Sequence, residues 1–232
     1  RFFVEDMPQY LDATNEFWFD KTDNGGRLYV RLSGDREPNG LQIEAARHMN
    51  HINSPSISYF DVNGLTFRFN NAFWDLTAQQ SLPAQDVDNA AVRVTGGGTD
   101  ISVRNCVFEH VPEAVRVLSD RVYNILSGVS ITDNAIAETD HGAMTIEEYG
   151  GTPPYGAVRD LKVLRNRLYR IGMRPRPREH GHAVSILFPE TAEIAGNILD
   201  RVWASGLFIF GGKASGNIGR EVPLTRILIH HN

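Results

Sequence analysis

The chain has 232 residues, of which 41% are hydrophobic and 22% charged, which is typical of a globular protein large enough for one substantial core. Its formal net charge of −5 argues against a strongly basic nucleic-acid-binding surface. No apolar run reaches the roughly 20 residues of a membrane span, and the single cysteine, Cys106, excludes an intrachain disulfide and a cysteine-based zinc site.

The first fifty residues predict a β-hairpin. Two runs with alternating apolar residues, EFWFD (16–20) and RLYVRL (27–32), flank the turn-forming stretch KTDNGG (21–26). We therefore divide the chain into an N-terminal hairpin segment, residues 1–50, packed on a repetitive domain, residues 51–232.

A repeat built on a recurring asparagine follows. The stretches ISVRNCVF, VSITDNAI, LKVLRNRL, AEIAGNIL and ILIHHN share apolar or small residues five and three positions before a special residue. The special residues are Cys106, Asn134, Asn166, Asn197 and Asn232, and Leu65 fits the same register. Stacked Asn amides can hydrogen-bond between repeats, and Asn tolerates left-handed backbone where the chain bends. Cys106 is then a small buried member of this ladder rather than a nucleophile.

A second template lies between these stretches: AVRV at 91 and 114, AMTI at 143, AVSI at 183 and GLFI at 206. Two short strands per turn, joined by loops of variable length, predict an all-β solenoid of parallel strands. Alternation with a period of two residues places one set of side chains inside, namely Val115, Val117, Met144, Ile146, Val184 and Ile186. It places Arg116, Thr145, Ser185 and Phe208 outside.

The competing fold is an antiparallel sandwich, which predicts hairpin signals such as Asn-Gly between neighbouring strands. Asn-Gly occurs at 39–40 and 63–64 but not between the later strands. The repeat register therefore favours the solenoid. Because the last ladder residue, Asn232, ends the sequence, we expect a fragment of a longer coil, capped by further turns or by a second copy.

A family resemblance supports this fold. FVEDMPQYLDATNEFWFDKTDNGGRLYVRL, followed by ISYFDVNGLTFRFNN and the Asn repeats, resembles the right-handed parallel β-helix carbohydrate-active enzymes of bacteria, in particular the β-helical glycoside hydrolases that include β-xylosidases and α-fucosidases. The resemblance implies an extracellular or periplasmic enzyme acting on plant or algal polysaccharide. Other β-helices are lyases, pectinases, epimerases or phage adhesins, and no catalytic motif is carried over.

Candidate site residues follow from stacking the turns. Equivalent positions on adjacent turns lie about 4.8 Å apart, and glycosidases need two carboxyl groups about 5 Å apart or roughly 6.5–9.5 Å apart. The register places Gly142 directly above Glu113, with Asp140 close by on the same edge. Asp140 and Glu113 are the predicted catalytic pair, with Glu147 in reserve. The predicted substrate-binding residues are His141, His180, His182, Trp203, Arg116 and Trp74, with the Trp203 ring stacking on a sugar.

Glu147 has an alternative interpretation as the partner of Arg116 in a surface ion pair. Glu148 is predicted to lie in a turn, because YGG follows it. The stretches 74–89 and 172–182 are the longest excursions on this edge and could form the walls of a cleft. Asp86 and Asp88 could bind Ca²⁺; no other cofactor is indicated.

Three functions compete. A glycoside hydrolase would use the carboxylate pair. A polysaccharide lyase acting on a uronate polymer would use a base and a cation, drawn from His141, His182, Arg93 and Arg116. A non-catalytic carbohydrate-binding or adhesive β-helix would need neither.

Overall fold

The computed structural model describes residues 8–22, 25–71, 89–119, 126–148, 158–173, 181–210 and 226–232. These ranges consist of β-strands, connecting turns and two 3-10 helices, Pro8–Tyr10 and Ser33–Asp35. No helix within them is long and apolar enough to cross a membrane. The strands, in chain order, are β1 (Glu16–Thr22), β2 (Gly25–Arg31), β3 (Ile52–Ser54), β4 (Phe60–Asn63), β5 (Thr66–Arg68), β6 (Val92–Thr95), β7 (Gly98–Thr99), β8 (Ile101–Arg104), β9 (Val107–Glu109), β10 (Val115–Ser119), β11 (Leu126–Ser127), β12 (Ser130–Thr132), β13 (Ala135–Ala137), β14 (Met144–Glu148), β15 (Val158–Arg159), β16 (Leu161–Leu164), β17 (Arg167–Ile171), β18 (Val184–Leu187), β19 (Thr191–Ala195), β20 (Ile198–Val202), β21 (Leu207–Phe210) and β22 (Arg226–His230).

The N-terminal hairpin is present as predicted. Strands β1 and β2 pair antiparallel, with Glu16 opposite Arg31 and Thr22 opposite Gly25. On one face the rings of Trp18 and Tyr29 stack with their centroids 5.0 Å apart, which is a typical stabilising cross-strand aromatic pair. The hairpin belongs to a compact unit that includes the residues up to Ala45.

The parallel strands belong to a second compact unit and form four sheets. Sheet 1 has the order β21-β18-β14-β10-β6-β3, sheet 2 β22-β19-β16-β12-β8-β4, sheet 3 β20-β17-β13-β9-β5, and the short sheet 4 β15-β11-β7. The chain passes through these sheets in a fixed order, so that each strand pairs in parallel with its equivalent from the previous pass. Because every pair in these four sheets is parallel, the alternative of an antiparallel sandwich is wrong for this unit.

The strands of sheet 3 were not predicted from the sequence. The repeat indicated two strands per pass, whereas a third follows each ladder position, for example Ala135–Ala137 after Asn134. This strand has only three residues, of which the central one, Ile136, is buried. It is therefore too short to show an alternating pattern in the sequence. The apolar position two residues after each ladder residue was the one visible sign of this strand.

The core lies between the sheets and consists of one apolar column per inward position. In sheet 1 the strand alternation is as predicted: all six residues expected inside are fully buried, namely Val115, Val117, Met144, Ile146, Val184 and Ile186. In sheet 3 the rings of Phe67 and Phe108 stack at 4.9 Å in adjacent turns. Burial of each such side chain contributes about 1.5–3 kcal/mol, which makes these columns the main source of stability.

The asparagine ladder runs along sheets 2 and 3 as one continuous hydrogen-bonded column. Oδ1 of Asn166 accepts from both the backbone N–H and the side-chain Nδ2 of Asn134, each at 3.0 Å. Nδ2 of Asn166 also donates to the carbonyl of Ile131 at 2.9 Å. Cys106 occupies the same column, buried, with its N–H donating to Asn134. The prediction that Cys106 is a structural ladder member is confirmed.

The left-handed backbone lies one residue before the ladder, not on it. The φ angle is positive at Asn105, Asp133, Arg165 and Gly196, which immediately precede Cys106, Asn134, Asn166 and Asn197. The interpretation that Asn serves the bend through its own backbone is therefore wrong. Asn is used because its side chain both donates and accepts in the buried column, and the preceding residue makes the corner.

Glu148 corrects a second local prediction. It is the last residue of strand β14 and its backbone pairs with Ser119 of β10, rather than lying in a turn.

Candidate functional site

The candidate site lies where each pass enters sheet 1. Four short segments that precede strands β10, β14, β18 and β21 stack on one another there. Val115 pairs with Met144, Met144 with Val184, and Val184 with Leu207. Counting back from these pairs puts Glu113, Gly142, His182 and Ser205 in one column, which is the register predicted from the sequence.

Glu113 and Arg116 form a buried ion pair. The guanidinium Nη1 of Arg116 lies 3.0 Å from Oε2 of Glu113, and the two residues are only 3% and 2% exposed. Arg116 sits at an outward position of β10 but is buried, so the prediction that it lies on the exposed surface is wrong. A guanidinium at this distance stabilises the ionised form of the Glu113 carboxyl group.

Asp140 and His141 lie on the next turn and are also buried. The N–H of Asp140 donates to the carbonyl of Val111 at 3.1 Å, and the N–H of His141 donates to Pro112 at 2.8 Å. These two bonds fix both residues directly beside the segment that carries Glu113. Asp140 is 7% exposed and His141 is 3% exposed, so both are held in the protein interior.

Thr139 anchors the turn that carries Asp140. It is fully buried, and its hydroxyl donates to the carbonyl of His141 at 3.2 Å while accepting from the N–H of Gly172 at 3.4 Å. The Thr139 carbonyl accepts from Met173 at 2.9 Å. Sequence reasoning did not single out Thr139; its only signal was its position directly before the Asp-His pair.

Gly142 allows the next turn to approach closely. A Cβ atom at this position would lie 2.5 Å from the carbonyl oxygen of His182. The sequence suggested that the missing side chain leaves room beside Glu113. In the structure, the space left by the missing Gly142 side chain is occupied by the backbone of His182 on the following turn.

His182 lies one turn further on, and its side chain contacts Ser205 and Phe208. Its Nδ1 is within hydrogen-bonding distance of the Ser205 hydroxyl. Its ring stacks on Phe208 with centroids 4.3 Å apart and planes 4° apart. Ser205 and Phe208 hold the imidazole in one orientation, and neither had been assigned a role in the site.

Glu147 lies on the outward face of β14, partly buried, between Leu118 on one neighbouring strand and Leu187 on the other. It is therefore two strand positions beyond Thr145, which stands directly beside Arg116. Arg93 occupies the same outward column as Arg116 and donates to Oδ1 of Asn53 at 2.9 Å.

Trp203 lies at the rim and is 66% exposed. Gly172 makes room for it, because a Cβ there would lie 2.9 Å from the Trp203 Cβ, and Gly181 lies next to the ring, where a Cβ would be in ordinary contact with its Cδ1 at 3.6 Å. Its N–H donates to Ile171 at 3.0 Å. The indole ring is thus on the side of the site that leads to His182.

Several predicted residues lie outside the described part of the chain: His180 and Trp74 among the substrate-binding residues, and Asp86 and Asp88 as Ca²⁺ ligands. Within the described ranges, no group of three or more His, Cys, Asp or Glu side chains could hold a metal ion.

The register sets the separation of the two candidate carboxylates. Asp140 is beside Val111, and Glu113 is two residues further along the same segment, which corresponds to about 8 Å between their Cα atoms in extended backbone. Side chains of this length can bring the carboxyl groups to either glycosidase separation, about 5 Å or roughly 6.5–9.5 Å. The arrangement is thus two buried carboxyl groups on adjacent turns, one of them paired with an arginine and the other followed in the chain by a buried histidine.

The chain matches no protein-family model, no curated protein and no solved structure.

Proposed function

We propose that the chain is a carbohydrate-active enzyme, and specifically a glycoside hydrolase acting on polysaccharide or oligosaccharide. The observation that carries this proposal is the burial of Glu113 and Asp140 on adjacent turns at one edge of sheet 1. Carboxyl groups are rarely buried without a purpose, because desolvation of the charged form is costly. Glycoside hydrolysis uses two carboxyl groups, and the register places these two on adjacent turns.

The fold proposed with this function is a right-handed parallel β-helix. It is supported by strands that return to the same four parallel sheets in a fixed order, with the asparagine ladder in register. Crossover connections between parallel strands of one sheet are right-handed in about 98% of cases. An extracellular or periplasmic location would accompany an enzyme of this kind.

Both carboxyl groups are buried, and we assign their roles from the Arg116 guanidinium beside Glu113. The base or nucleophile must be ionised. Glu113 takes this role, because the Arg116 guanidinium beside it favours the ionised carboxylate. Asp140 is the general acid, because a buried carboxyl group keeps its proton more readily and can give it to the leaving oxygen. His141 and His182 orient the sugar, and Glu147 is the reserve for either role.

Variants with amides in place of the carboxylates test this proposal. Soluble xylan, an aryl fucoside and polygalacturonate are each incubated with the protein, and the reducing sugar or aryl group released is measured. We expect Asp140→Asn and Glu113→Gln to reduce turnover about 100-fold or more. Glu193→Gln, which changes an exposed carboxylate on sheet 2, is the matched control and should retain full turnover.

Far-ultraviolet circular dichroism and thermal unfolding separate loss of chemistry from loss of fold. Asp140→Asn is the decisive variant, since Glu113→Gln also removes the partner of a buried arginine. Full turnover in folded Asp140→Asn would refute the assignment of Asp140. If Glu147→Gln is inactive instead, the reserve carboxylate is the acid.

A polysaccharide lyase is the second candidate, favoured by the two arginines that share one outward column. Arg93 and Arg116 are direct strand partners, so two cations lie on adjacent turns where a uronate carboxylate could bind. His141 would then remove the proton next to that carboxylate. Absorbance of an unsaturated product in the ultraviolet during incubation with polygalacturonate would identify this reaction. Reducing sugar released from xylan without such absorbance would exclude it.

A further inference from the structure

A serine and a histidine are in hydrogen-bonding contact just before strand β21. The Ser205 hydroxyl lies against Nδ1 of His182 on the preceding turn, and both residues are partly buried. The carbonyl of Ser205 also accepts from the N–H of Ala183 at 2.9 Å, which fixes the two segments side by side. In the tautomer with its proton on Nε2, the imidazole accepts the hydroxyl hydrogen at Nδ1. A serine in this position has a base beside it, which is the first requirement of an oxygen nucleophile.

The imidazole is held in place for this contact. The His182 ring packs face to face on the Phe208 ring, with centroids 4.3 Å apart and planes 4° apart. Phe208 belongs to β21, and Ser205 lies two residues before that strand. One short segment therefore both carries the hydroxyl and orients the base. A base oriented by a third group beside the nucleophile is the arrangement that nucleophilic catalysis requires.

The hydroxyl lies at the end of its column, on the side where a substrate can approach. Ser205 is the last member of the column that contains Glu113, and within the described ranges no strand of sheet 1 follows β21. Trp203 and Ala204, immediately before Ser205, are exposed. The contact between serine and histidine is thus at the boundary between the polar column and solvent, not in the apolar core.

We propose that Ser205 and His182 are the nucleophile and the general base of a second activity, the hydrolysis of carboxylic esters. An ester is the matching substrate because a serine oxygen attacks an acyl carbon and the alcohol can leave once it is protonated. Ser205 lies between Ala204 and Gly206, so only small side chains flank the hydroxyl and a short acyl group can reach it. This inference goes beyond the proposed glycoside hydrolysis and does not depend on it.

The reaction needs only the ester and water. Oγ of Ser205 forms a bond to the acyl carbon while its proton passes to Nδ1 of His182. The bond from the acyl carbon to the alcohol oxygen then breaks, and the proton on Nδ1 goes to the departing alcohol. Water adds to the acyl-serine with Nδ1 again taking a proton, and the acid leaves as Ser205 regains its hydrogen. The N–H of Gly206, directly after the nucleophile, would donate to the oxyanion.

A fluorophosphonate reagent tests the nucleophile on the whole protein. Its phosphorus forms a bond to a serine oxygen that has a base beside it, with loss of fluoride, and mass spectrometry of peptides locates the modified residue. We expect modification of Ser205 in the wild type and a rate about 100-fold lower in His182→Gln. Ser130→Ala is the matched control, because Ser130 is also partly buried but its strand partners on sheet 2 are Ser102 and Lys162. It should leave the rate at Ser205 unchanged.

Turnover is measured as nitrophenolate released from p-nitrophenyl acetate and as acetate released from acetylated xylan. We expect Ser205→Ala to be slower than the wild type by about 100-fold or more. Acid-quenched wild type should carry the acetyl group on Ser205.

Two outcomes would overturn the proposal: no modification of Ser205 in the wild type, or equal turnover by folded Ser205→Ala and the wild type. The first outcome needs no variant, so it decides the question even where Ser205→Ala does not fold. Neither readout involves a glycosidic bond, so ester hydrolysis and glycoside hydrolysis can fail separately.

Discussion

Asn197 accepts two hydrogen bonds from a single residue, Asn166: one from its backbone N–H and one from its side-chain Nδ2, each 3.0 Å long. Asn166 receives the same pair of bonds from Asn134. Asn166, Asn197 and Asn232 thus each satisfy the main chain and the side chain of the preceding asparagine, whereas Asn134 accepts the backbone N–H of Cys106. Removal of a buried side chain that makes this many hydrogen bonds should therefore cost much stability.

Replacement of Asn166 by alanine should lower the free energy of unfolding by at least about 3 kcal/mol. The change would leave the backbone N–H and Nδ2 of Asn134 and the carbonyl of Ile131 buried without their present partner. Urea unfolding measures the difference. Asn63→Ala is the control, because the Asn63 side chain makes only an exposed bond to Asn105, and it should cost under about 1 kcal/mol. Equal losses would contradict a special role for the ladder.

The buried Glu113–Arg116 pair should show strong energetic coupling. A double-mutant cycle with Glu113→Gln and Arg116→Met compares the single variants with the double variant. Removing one partner leaves the other charge buried and costs about 3–5 kcal/mol, whereas removing both costs less, so we expect a coupling of about 2 kcal/mol or more.

The exposed pair Asp133–Arg165, with contacts of 2.7 Å, provides the comparison cycle. Coupling there should stay below about 1 kcal/mol, because solvent screens the charges. A buried pair that couples no more strongly than this exposed one would refute the burial argument.

The Arg165 guanidinium, through its hydrogen bonds, lowers the pKa of Asp133. Arg165→Met should therefore return the Asp133 pKa towards the usual value of about 3.9, as measured by carboxyl NMR titration. A lowered carboxyl pKa stabilises the fold above the unfolded-state pKa and loses that effect as the pH falls through the folded-state pKa. The stability difference between wild type and Arg165→Met should accordingly be present at pH 7 and be lost as the pH falls through the lowered pKa of Asp133. An unchanged Asp133 pKa would show that the pair does not persist in solution.

Gly142→Ala should destabilise the protein by about 2 kcal/mol or more, because its Cβ would lie 2.5 Å from a backbone carbonyl that cannot move independently of strand β18. Gly206→Ala is the matched control in the same set of segments. Its Cβ would meet only the end of the Leu199 side chain, at 3.2 Å, which can adjust. Thermal unfolding should separate the two variants clearly, and similar melting temperatures would contradict the close approach at residue 182.

The stacking of the turns could be predicted from the sequence because the repeat contains residue types that few others could replace at the same positions. A buried amide column requires Asn, and the small residue before each sheet 1 strand is buried in four successive turns, at Ala91, Ala114, Ala143 and Ala183. Both signals recur once per pass. Counting between them therefore gave the correct neighbours for Glu113 and Asp140.

Other features had no comparable signal. The corner before each ladder residue is left-handed whether it is Asn105, Asp133, Arg165 or Gly196, so no residue type marks it. The burial of Arg116 also depends on contacts outside its own strand, whereas alternation within the strand reports only which way the side chain points. Inward or outward direction was thus predictable, but exposure was not.

The ladder makes this protein modular in length. Ala135 and Arg167 are strand partners in sheet 3, one whole turn apart, and each directly follows a ladder asparagine. Excision of residues 135–166 would join Asn134 to Arg167 and bring Asn197 into the place of Asn166, with the same kinds of contact restored on both sides. The excised turn carries Asp140, His141 and Glu147. A shortened chain of this kind would keep the stacked parallel sheets and lose the residues proposed to carry the chemistry. Folding and the proposed activity would then depend on different residues of the sequence.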